Sequence, residues 1–475
     1  MTRLSPETLA LLPADVARPS YDRGAMRAGV VHFGPGAFHR AQQAAAFDTL
    51  LAHDPRWGIT GVSLHSQGVA QALGPQGGLY TLALLDAQTR YRVIGSIGQV
   101  LTGAAPQAIL GAMAHADTRI ISATVTEKGY CLGADGTLDC AHPAVAADLA
   151  AAGQAGWVPQ SFIGWLVHGL GARRRAGLPG VTVLSCDNVT DNGRKVEAAT
   201  LALAQAVDPQ TATWIADQVC FPNAMVDSIT PATDDALRAQ VAAATGLDDA
   251  WPIQREGFTQ WVIEDRFAGE RPALDLAGVT FAADVRPFEM AKLRLLNGAH
   301  STLAYVGLGL GHETVAQAMQ DAALAQFVER LMREDIAPSV KAPPGLDLSR
   351  YIDDVLARFA NPAIRHLLSQ IAWDGSQKLP YRLLGTVREA LEAGRPIARL
   401  AVPIAAWLRF LERAARGGAA ITDPLAADLL ARASAWRAVL AMPAVFGTLG
   451  QDARFVDAVA AAHAALAAGR LEPEA

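Results

Sequence analysis

Short apolar runs alternate with amphipathic segments along the first half of the chain. Six of these runs are rich in strand-forming residues and predict strands at 28–34, 58–64, 80–86, 90–97, 118–126 and 180–188. The segment 37–54, between the first two runs, has helical spacing. Strands that alternate with helices predict a mainly parallel sheet covered by helices, and strands rich in Val and Ile are usually buried on both faces.

The pattern changes near residue 285. Beyond that point Ala and Leu dominate, apolar residues recur at helical spacing, and Gly or Pro separates one segment from the next. We therefore predict an α/β fold in two domains. The first is a Rossmann-like domain with a mainly parallel sheet at 1–284, and the second is a mostly α-helical domain at 285–475.

Composition and charge narrow the class of protein. Of the 475 residues, 51% are hydrophobic and 18% are charged, which is enough apolar matter for large cores. The net charge of −6 without a basic stripe argues against nucleic acid as a partner. There is no run of about 18 apolar residues, and the N-terminal apolar patch is too short for a secretory signal. We expect a cytoplasmic protein without a membrane partner, either a monomer or a small homo-oligomer.

The cysteines give no sign of a metal site. Cys131, Cys140, Cys186 and Cys220 form no C-x-x-C pair and have no zinc-finger spacing to histidines, which predicts free thiols in a reducing compartment. We expect no metal.

A glycine-rich turn follows the first predicted strand. In "VVHFGPGAFHR", Gly34 and Gly36 stand between a strand and a helix, where glycine permits a tight turn and a close approach of phosphate to the backbone. The third glycine of the dinucleotide-binding fingerprint is absent, since His39 stands there. The pattern thus indicates a dinucleotide site, with a plain Pro-Gly turn as the alternative.

The residues that would contact a ribose do not decide between NAD and NADP. The second strand ends at Leu64, and His65 and Ser66 follow in place of the usual carboxylate, without an arginine for a 2′-phosphate. Either NAD or NADP fits this pattern. Tyr130 follows another predicted strand end, where it would contact the cofactor or pack in its loop.

Three polar residues interrupt the apolar helix "EMAKLRLLNGAHSTLAYVG". With α-helical geometry, Asn297 lies about 140° and His300 about 80° around the axis from Lys292, so all three share one arc. A lysine in an apolar pocket has a lowered pKa and can act as a general base on an alcohol, while amide and imidazole groups stabilise the alkoxide. The alternative is a lysine that reaches solvent, an asparagine at a helix break and a packed histidine.

The same helix resembles the signature of the long-chain polyol-specific dehydrogenases, the mannitol dehydrogenase family. Other segments resemble family blocks in the expected order: "VVHFGPGAFHRAQQ", "TVTEKGYC", "SCDNVTDNG", "FPNAMVDSITPAT", "QWVIEDRFAGERP" and "DGSQKLP". The resemblance runs from near Arg18 to the C-terminus. It implies metal-independent hydride transfer between a nicotinamide cofactor and a polyol or sugar acid.

The resemblance also implies roles for particular residues. Lys292 would be the general base, Asn297 and Asn188 would stabilise the oxyanion, and Glu289 would relay the proton. Three further residues would bind the substrate: His300, Lys378 and Asp227, the last of which would bind either substrate hydroxyls or the cofactor. Five residues would form the cofactor turn, namely Gly34, Gly36, Phe38, His39 and Arg40.

The resemblance is closer to the fructuronate reductase branch than to mannitol 2-dehydrogenase. Arg365 and His366 lie close in sequence to "DGSQK", and arginine binds carboxylates bidentately, so we expect them to contact a uronate. The alternative is an Arg365 that faces solvent or pairs with an acid. Ser228 stands where family members often have arginine, and His65 with Ser66 replaces an acidic pair, which puts strict preference for NAD in doubt.

The sequence therefore predicts an NAD(P)-dependent secondary-alcohol dehydrogenase that interconverts D-mannonate and D-fructuronate. D-mannitol and D-fructose, or another polyol and its ketose, are the alternative substrates. A cofactor-binding sensor without turnover is the alternative of a different class. A zinc-dependent polyol dehydrogenase is a third possibility, against which the scattered cysteines argue.

Overall fold

The computed structural model describes residues 1–86, 88–133, 135–154 and 156–472. The chain divides into two compact units, Met1–Arg286 and Pro287–Ala475. The division lies two residues beyond the boundary expected from the sequence. It separates a unit that contains all the named strands from a helical unit.

The described part of the N-terminal unit has eleven strands: β1 (Val30–Phe33), β2 (Ile59–Ser63), β3 (Tyr80–Leu85), β4 (Arg90–Ile94), β5 (Ile97–Thr102), β6 (Ile120–Ala123), β7 (Thr182–Ser185), β8 (Ala224–Asp227), β9 (Ile253–Glu256), β10 (Gln260–Glu264) and β11 (Thr280–Ala282). Five of them form a sheet in the order β5-β2-β1-β6-β7, in which every neighbouring pair is parallel. The predicted parallel sheet is confirmed.

Strand β1 shows why this sheet is buried on both faces. Its four residues are all buried, and neighbouring side chains point to opposite faces of a sheet. Val31 and Phe33 belong to one hydrophobic cluster, whereas Val30 belongs to another. The sheet therefore separates two cores, one on each face.

Two smaller mixed sheets complete this unit, in the orders β11-β10-β8 and β4-β3-β9. Their antiparallel pairs, β8 with β10 and β3 with β4, were not predicted from the sequence. The predicted strand 90–97 is in fact two elements, because the chain turns at Gly95 and Ser96. The N–H of Gly95 donates to Asp48, 2.8 Å away, and the Ser96 hydroxyl donates to the carbonyl of Ala44, 2.7 Å away.

Nine helices lie in the described part of the N-terminal unit: α1 (Ala37–Ala41), α2 (Gln43–Leu51), α3 (Gly68–Leu73), α4 (Pro106–Met113), α5 (Pro143–Ala151), α6 (Phe162–Arg175), α7 (Asn192–Val207), α8 (Pro209–Gln218) and α9 (Asp235–Thr245). The single helix predicted at 37–54 is wrong at Gln42. Its backbone leaves the helical region, and its buried side chain accepts a hydrogen bond from Thr259.

The C-terminal unit is built of α-helices around one core: α10 (Arg286–Ala291), α11 (Gly298–Leu310), α12 (Val315–Gln320), α13 (Ala322–Arg330), α14 (Leu348–Phe359), α15 (Leu368–Ile371), α16 (Gly375–Leu379), α17 (Gly385–Glu392), α18 (Ala398–Gly417), α19 (Ala426–Arg432), α20 (Trp436–Leu440), α21 (Pro443–Phe446) and α22 (Ala453–Ala467). Helix α18 packs against both α11 and α22. Three π-helical segments join α-helices: Lys292–Asn297, Leu331–Ile336 and Pro380–Leu384.

Two further observations concern the chain as described. All four cysteines are free thiols, and burial raises the pKa of Cys186. No single helix in the described ranges is long and apolar enough to cross a membrane, although the bent pair Ala426–Leu440 and Pro443–Gln451 passes on length and composition alone.

Candidate active site

The glycine turn lies at the switch point of the parallel sheet. From β1 the sheet continues through β2 on one side and through β6 on the other, and ligands of open α/β sheets bind at the carboxyl ends of such strands. Gly34 follows β1 with φ +84°, and a Cβ there would lie 2.2 Å from the carbonyl oxygen of Thr124 after β6. Only glycine fits this close approach.

Gly36 has the opposite surroundings. A Cβ there would meet only the Gly34 carbonyl oxygen, 3.9 Å away, so open space adjoins the backbone where α1 begins. No side chain caps the first N–H groups of that helix. The turn therefore offers the open backbone that a dinucleotide pyrophosphate needs. Gly34, Gly36 and Phe38 reach the outer surface of this turn.

His39 and Arg40 support the turn from inside, because both side chains are fully buried. The His39 ring stacks on His32 with centroids 3.4 Å apart, and burial lowers the pKa of both imidazoles, that of His32 to about 3. Arg40 donates to the carbonyl of Trp251, 2.8 Å away, and its guanidinium lies over the Trp251 and Tyr80 rings. Neither side chain reaches the surface where a cofactor would bind.

His65 is exposed in the loop after β2, the strand beside β1. The loop is held by two hydrogen bonds: Ser63 donates to the Ser66 carbonyl at 2.6 Å, and Ser66 accepts from the N–H of Gly68 at 3.2 Å. His65 thus lies where Rossmann folds contact the ribose.

Asp187 organises the next part of this edge, and sequence reasoning missed it. Its carboxylate accepts the N–H groups of Thr126 and Val125 at 2.8 and 3.2 Å, and its burial raises its pKa. Thr126 has φ +65°, a conformation that costs free energy in a residue other than glycine. Tyr130 donates to Asp187 at 3.0 Å and is fully buried, so its surroundings fit the packing alternative and not a cofactor contact.

Asn188 and Asp227 lie at or just beyond the ends of two strands of the N-terminal unit, β7 and β8. Asn188 is exposed just beyond β7, and Asp227 is the buried last residue of β8. Asn192, another residue that the sequence did not reveal, ties these regions together. Its amide donates to the carbonyls of Asp187 and Ala224 at 3.0 and 2.7 Å.

In the C-terminal unit, Lys292 opens a π-helical segment that joins α10 to α11. A π-helix bonds residue i to i+5, so Lys292 and Asn297 come nearly one above the other. The angular positions predicted from α-helical geometry are therefore wrong in this stretch. Lys292 is 8% exposed and Asn297 is half-buried. Glu289, half-buried, precedes Lys292 by three residues, a spacing that makes them neighbours on a helix.

Packing against the other π segments accompanies this local geometry. The segment Lys292–Asn297 contacts both Leu331–Ile336 and Pro380–Leu384. Arg294 within it is buried and donates to Glu389 and, at 2.8 Å, to the carbonyl of Ser339. These contacts, between residues that are distant in sequence, stabilise the π-helical turn at Lys292–Asn297.

His300 is a buried, neutral imidazole. Its ring lies 4.5 Å from that of Phe359 and 5.0 Å from that of His366, between centroids, and its Nε2 has no hydrogen-bond partner among the described residues. Burial lowers its pKa far below the usual value, and His366 adds to the effect. The pKa of His366 is lowered by burial as well. A neutral imidazole can donate or accept a hydrogen bond with a hydroxyl.

Lys378 is half-buried at the end of α16. Its Nζ donates weakly to the carbonyl of Ile371, 3.4 Å away, and its pKa is lowered by burial and by Arg382. The preceding turn is tightly constrained, since Asp374 has φ +55° and a Cβ on Gly375 would lie 2.4 Å from the indole nitrogen of Trp407.

Arg365, predicted to bind a substrate carboxylate, is exposed, which agrees with the solvent-facing alternative. The described residues include no group of three or more His, Cys, Asp or Glu side chains able to hold a metal ion.

Comparison with known proteins gives a consistent assignment. Residues 28–276 match the Mannitol dehydrogenase Rossmann domain, and residues 284–467 match the Mannitol dehydrogenase C-terminal domain. The D-mannonate oxidoreductase of Escherichia coli strain K12 is 43% identical over 94% of this chain and 95% of its own length. The polyol:NADP oxidoreductase of Gluconobacter oxydans strain 621H is 39% identical over 95% of each.

A solved structure extends the match to three dimensions. The Pseudomonas fluorescens mannitol 2-dehydrogenase, in a ternary complex with NAD and D-mannitol, aligns with a TM-score of 0.84 and 36% identity, covering 99% of this chain and 98% of that one. The two domain matches and the similarity over nearly the full chain show that this protein belongs to the mannitol dehydrogenase family of NAD-binding oxidoreductases.

Proposed function

We propose that this protein interconverts D-mannonate and D-fructuronate by NAD(P)-dependent, metal-independent hydride transfer, with Lys292 as the general base. The observation that carries the proposal is the buried lysine that opens a π segment, with Asn297 at the end of the same segment and the buried imidazole of His300 in the next turn. The similarity to a D-mannonate oxidoreductase over 94% of the chain supports the choice of substrate. D-mannitol with D-fructose, or another polyol pair, is the alternative.

The proposed chemistry divides among the side chains of this chain. The Nζ of Lys292 takes the proton of the substrate hydroxyl, and Glu289 passes it to solvent. The amide of Asn297 donates to the developing alkoxide. Asn188 is assigned to the same oxygen on the resemblance alone. When bound, the nicotinamide supplies the acceptor or donor of the hydride.

Substrate contacts complete the proposal. The neutral imidazole of His300 fits a hydrogen bond to a hydroxyl, and Lys378 fits contact with an electron-rich substrate group because its ammonium is only weakly bonded within the protein. Asp227 and His366 are assigned to substrate from the sequence. Arg365, whose side chain is exposed, is not assigned a substrate contact.

The N-terminal unit is proposed to bind NAD, with NADP as the alternative. The open backbone at Gly36 and the switch-point position support binding, and the exposed His65 without a neighbouring carboxylate leaves room for either ribose. We further propose a cytoplasmic protein, monomeric or a small homo-oligomer, whose partner is a small sugar acid or polyol.

Replacement of Lys292 tests the mechanism. Lys292→Ala removes the base, so turnover should fall by about 10²–10⁴-fold, while NADH binding measured by fluorescence titration stays unchanged. Lys341→Ala is a matched control, because Lys341 is an exposed lysine of the same unit. Turnover near that of the wild type in Lys292→Ala would exclude Lys292 as the base.

A substrate panel tests the reaction. Fructuronate, tagaturonate and fructose should each be offered with NADH and with NADPH, and the fastest cofactor oxidation is expected with fructuronate. Equal or faster rates with fructose would favour the mannitol alternative. Cofactor binding without oxidation of NADH or NADPH by any substrate would favour a sensor.

A further inference from the structure

Arg382 is a half-buried arginine without an acidic partner. It lies in the π segment Pro380–Leu384 of the C-terminal unit and forms no salt bridge with any described residue. Its pKa is lowered by burial, with only the Tyr305 phenol acting against the shift. Burying a guanidinium without a counter-charge costs free energy, so the arrangement calls for an explanation.

Other arginines of this unit show what is missing. Arg294, which is also buried, donates to the carboxylate of Glu389, and Arg399 donates to Asp335 at 2.6 Å. Both side chains therefore have an acid as a partner. Arg382 instead donates from Nη1 to a neutral group, the hydroxyl of Ser301, 3.1 Å away.

The position of Arg382 joins it to the candidate substrate residues. Ser301 follows His300 directly in α11 and stands four residues after Asn297, the residue that precedes this helix, so Asn297 and Ser301 lie on the same side of it. Burial is the main cause of the lowered pKa of both His300 and Lys378, and the charge of Arg382 adds to both shifts. A guanidinium, an ammonium and a buried imidazole thus lie close together at the side chains proposed to hold the substrate.

The acids near this group serve other contacts. Asp374 and Asp423 act on Lys378 by raising its pKa, but less than burial and Arg382 lower it. Asp423 accepts the N–H and the hydroxyl of Ser376 at 2.8 and 2.6 Å, which stabilises the start of α16. Neither acid is among the groups that act on Arg382.

We propose that Arg382, with Lys378, binds the carboxylate of an acidic sugar substrate and so selects sugar acids over neutral polyols. The inference rests on the proposed function and names its specificity-determining residue. It replaces the prediction for Arg365, whose exposed side chain lacks the burial that makes a charge selective. A carboxylate would supply the missing counter-charge, and the planar guanidinium can bind it through two parallel hydrogen bonds.

Selectivity follows from the same arrangement. A neutral ketose bound beside Arg382 and Lys378 would supply no negative charge, and the guanidinium would stay without a counter-charge. A site built for one polar partner rejects a substrate that lacks it far more strongly than a size difference does. The uncharged ketose should therefore be the poorer substrate in the wild type.

The test compares Arg382→Met with Arg365→Ala on two substrates, fructuronate and fructose. We expect kcat/KM for fructuronate to fall about 100-fold in Arg382→Met, mainly through KM, while kcat/KM for fructose stays the same or rises. Arg365→Ala should change both values less than about twofold. Equal losses on both substrates in Arg382→Met, or a selective loss of fructuronate in Arg365→Ala, would overturn the proposal.

A binding measurement on a second variant keeps the proposal testable if Arg382→Met does not fold. D-mannonate should raise the melting temperature of the wild type in the presence of NADH, and this shift should vanish in Arg382→Gln, a shorter neutral variant able to retain a donor towards Ser301. An undiminished shift in Arg382→Gln would overturn the inference. Failure of the wild type to reduce fructuronate, with turnover of fructose, would instead refute the proposed substrate and so be recognisable as a separate failure.

Discussion

The turn after β1 offers open space because two of its residues lack side chains, whereas the helix around Lys292 keeps polar side chains where apolar ones would ordinarily pack. At the turn, histidine and arginine face inward, and the outer surface near Gly36 is bare backbone. On the helix, the side chains of Lys292 and His300 are buried. A site defined by backbone tolerates exchange of its supporting side chains, while a site defined by side chains depends on the register of its helix.

Gly34→Ala gives the largest expected effect and breaks the first half of this contrast. The new Cβ would lie 2.2 Å from the carbonyl oxygen of Thr124, at a φ that costs alanine about 1–2 kcal/mol before any clash. NADH affinity should fall by more than about 100-fold, together with the midpoint of urea unfolding. Unchanged affinity and stability would show that the turn can relax.

Glu389→Ala probes the support of the π segment. It leaves Arg294 buried with only the Ser339 carbonyl as partner, and should lower the free energy of unfolding by about 1–2 kcal/mol, discounted because Glu389 is partly exposed. The rate of turnover should fall about tenfold while NADH affinity is retained. Glu392→Ala, in the same helix, is the control; an equal fall in turnover there would contradict the argument.

Gly36→Ala tests whether the backbone at Gly36 binds the cofactor, without a large change in the stability of the protein. Because a Cβ at this position meets open space, the free energy of unfolding should change by less than about 0.5 kcal/mol. The methyl would instead occupy the space left for phosphate, so the Kd of NADH should rise about tenfold. A stable variant with unchanged Kd would move the pyrophosphate away from Gly36.

The pH dependence of unfolding tests the burial of polar side chains on the helix around Lys292. The folded-state pKa of His300 is depressed, so between its unfolded value and its folded value the unfolded chain binds one more proton. The free energy of unfolding should therefore decrease as pH falls below about 6.5, by at most about 1.4 kcal/mol per pH unit for this group. His300→Phe should reduce that slope by up to one proton, as measured by urea titrations at several pH values. The same slope in both proteins would show that His300 is protonated when folded.

The parallel strands, the change to helices near residue 285 and the identity of the polar helix all follow from local pattern. The direction in which each polar side chain faces depends on partners that are distant in sequence. Arg40 is buried because Trp251 and Tyr80 cover it, and Tyr130 is buried because Asp187 accepts its hydroxyl. No spacing rule within one segment contains that information, and a motif match cannot say which side chains face inward.

The same limit explains why the sequence predicted α-helical geometry at Lys292 and why it indicated Arg365, and not Arg382, as a ligand for a carboxylate. The π turn that begins at Lys292 accompanies a contact between Arg294 and Glu389, almost a hundred residues away in sequence, and no local pattern of residues reveals such a contact. Arg365 was favoured for its nearness in sequence to "DGSQK". Arg382 lies nearer to "DGSQK", four residues after Lys378, but only its burial and its lack of an acidic partner among the described residues distinguish it.

The π segment Lys292–Asn297 affects how this part of the chain responds to the deletion of a residue. It holds one residue more per turn than its flanking α-helices, so deletion of a single residue between Lys292 and Asn297 would restore a regular helix. Such a deletion would place the lysine and the asparagine four residues apart in an α-helix, a spacing that keeps both side chains on one face. Deletion of one residue between Asn297 and His300, in the regular helix, would instead rotate the histidine by about 100° relative to the other two side chains. The π turn can therefore lose one residue without separating its two polar side chains, whereas the regular turn that follows it depends on the number of residues.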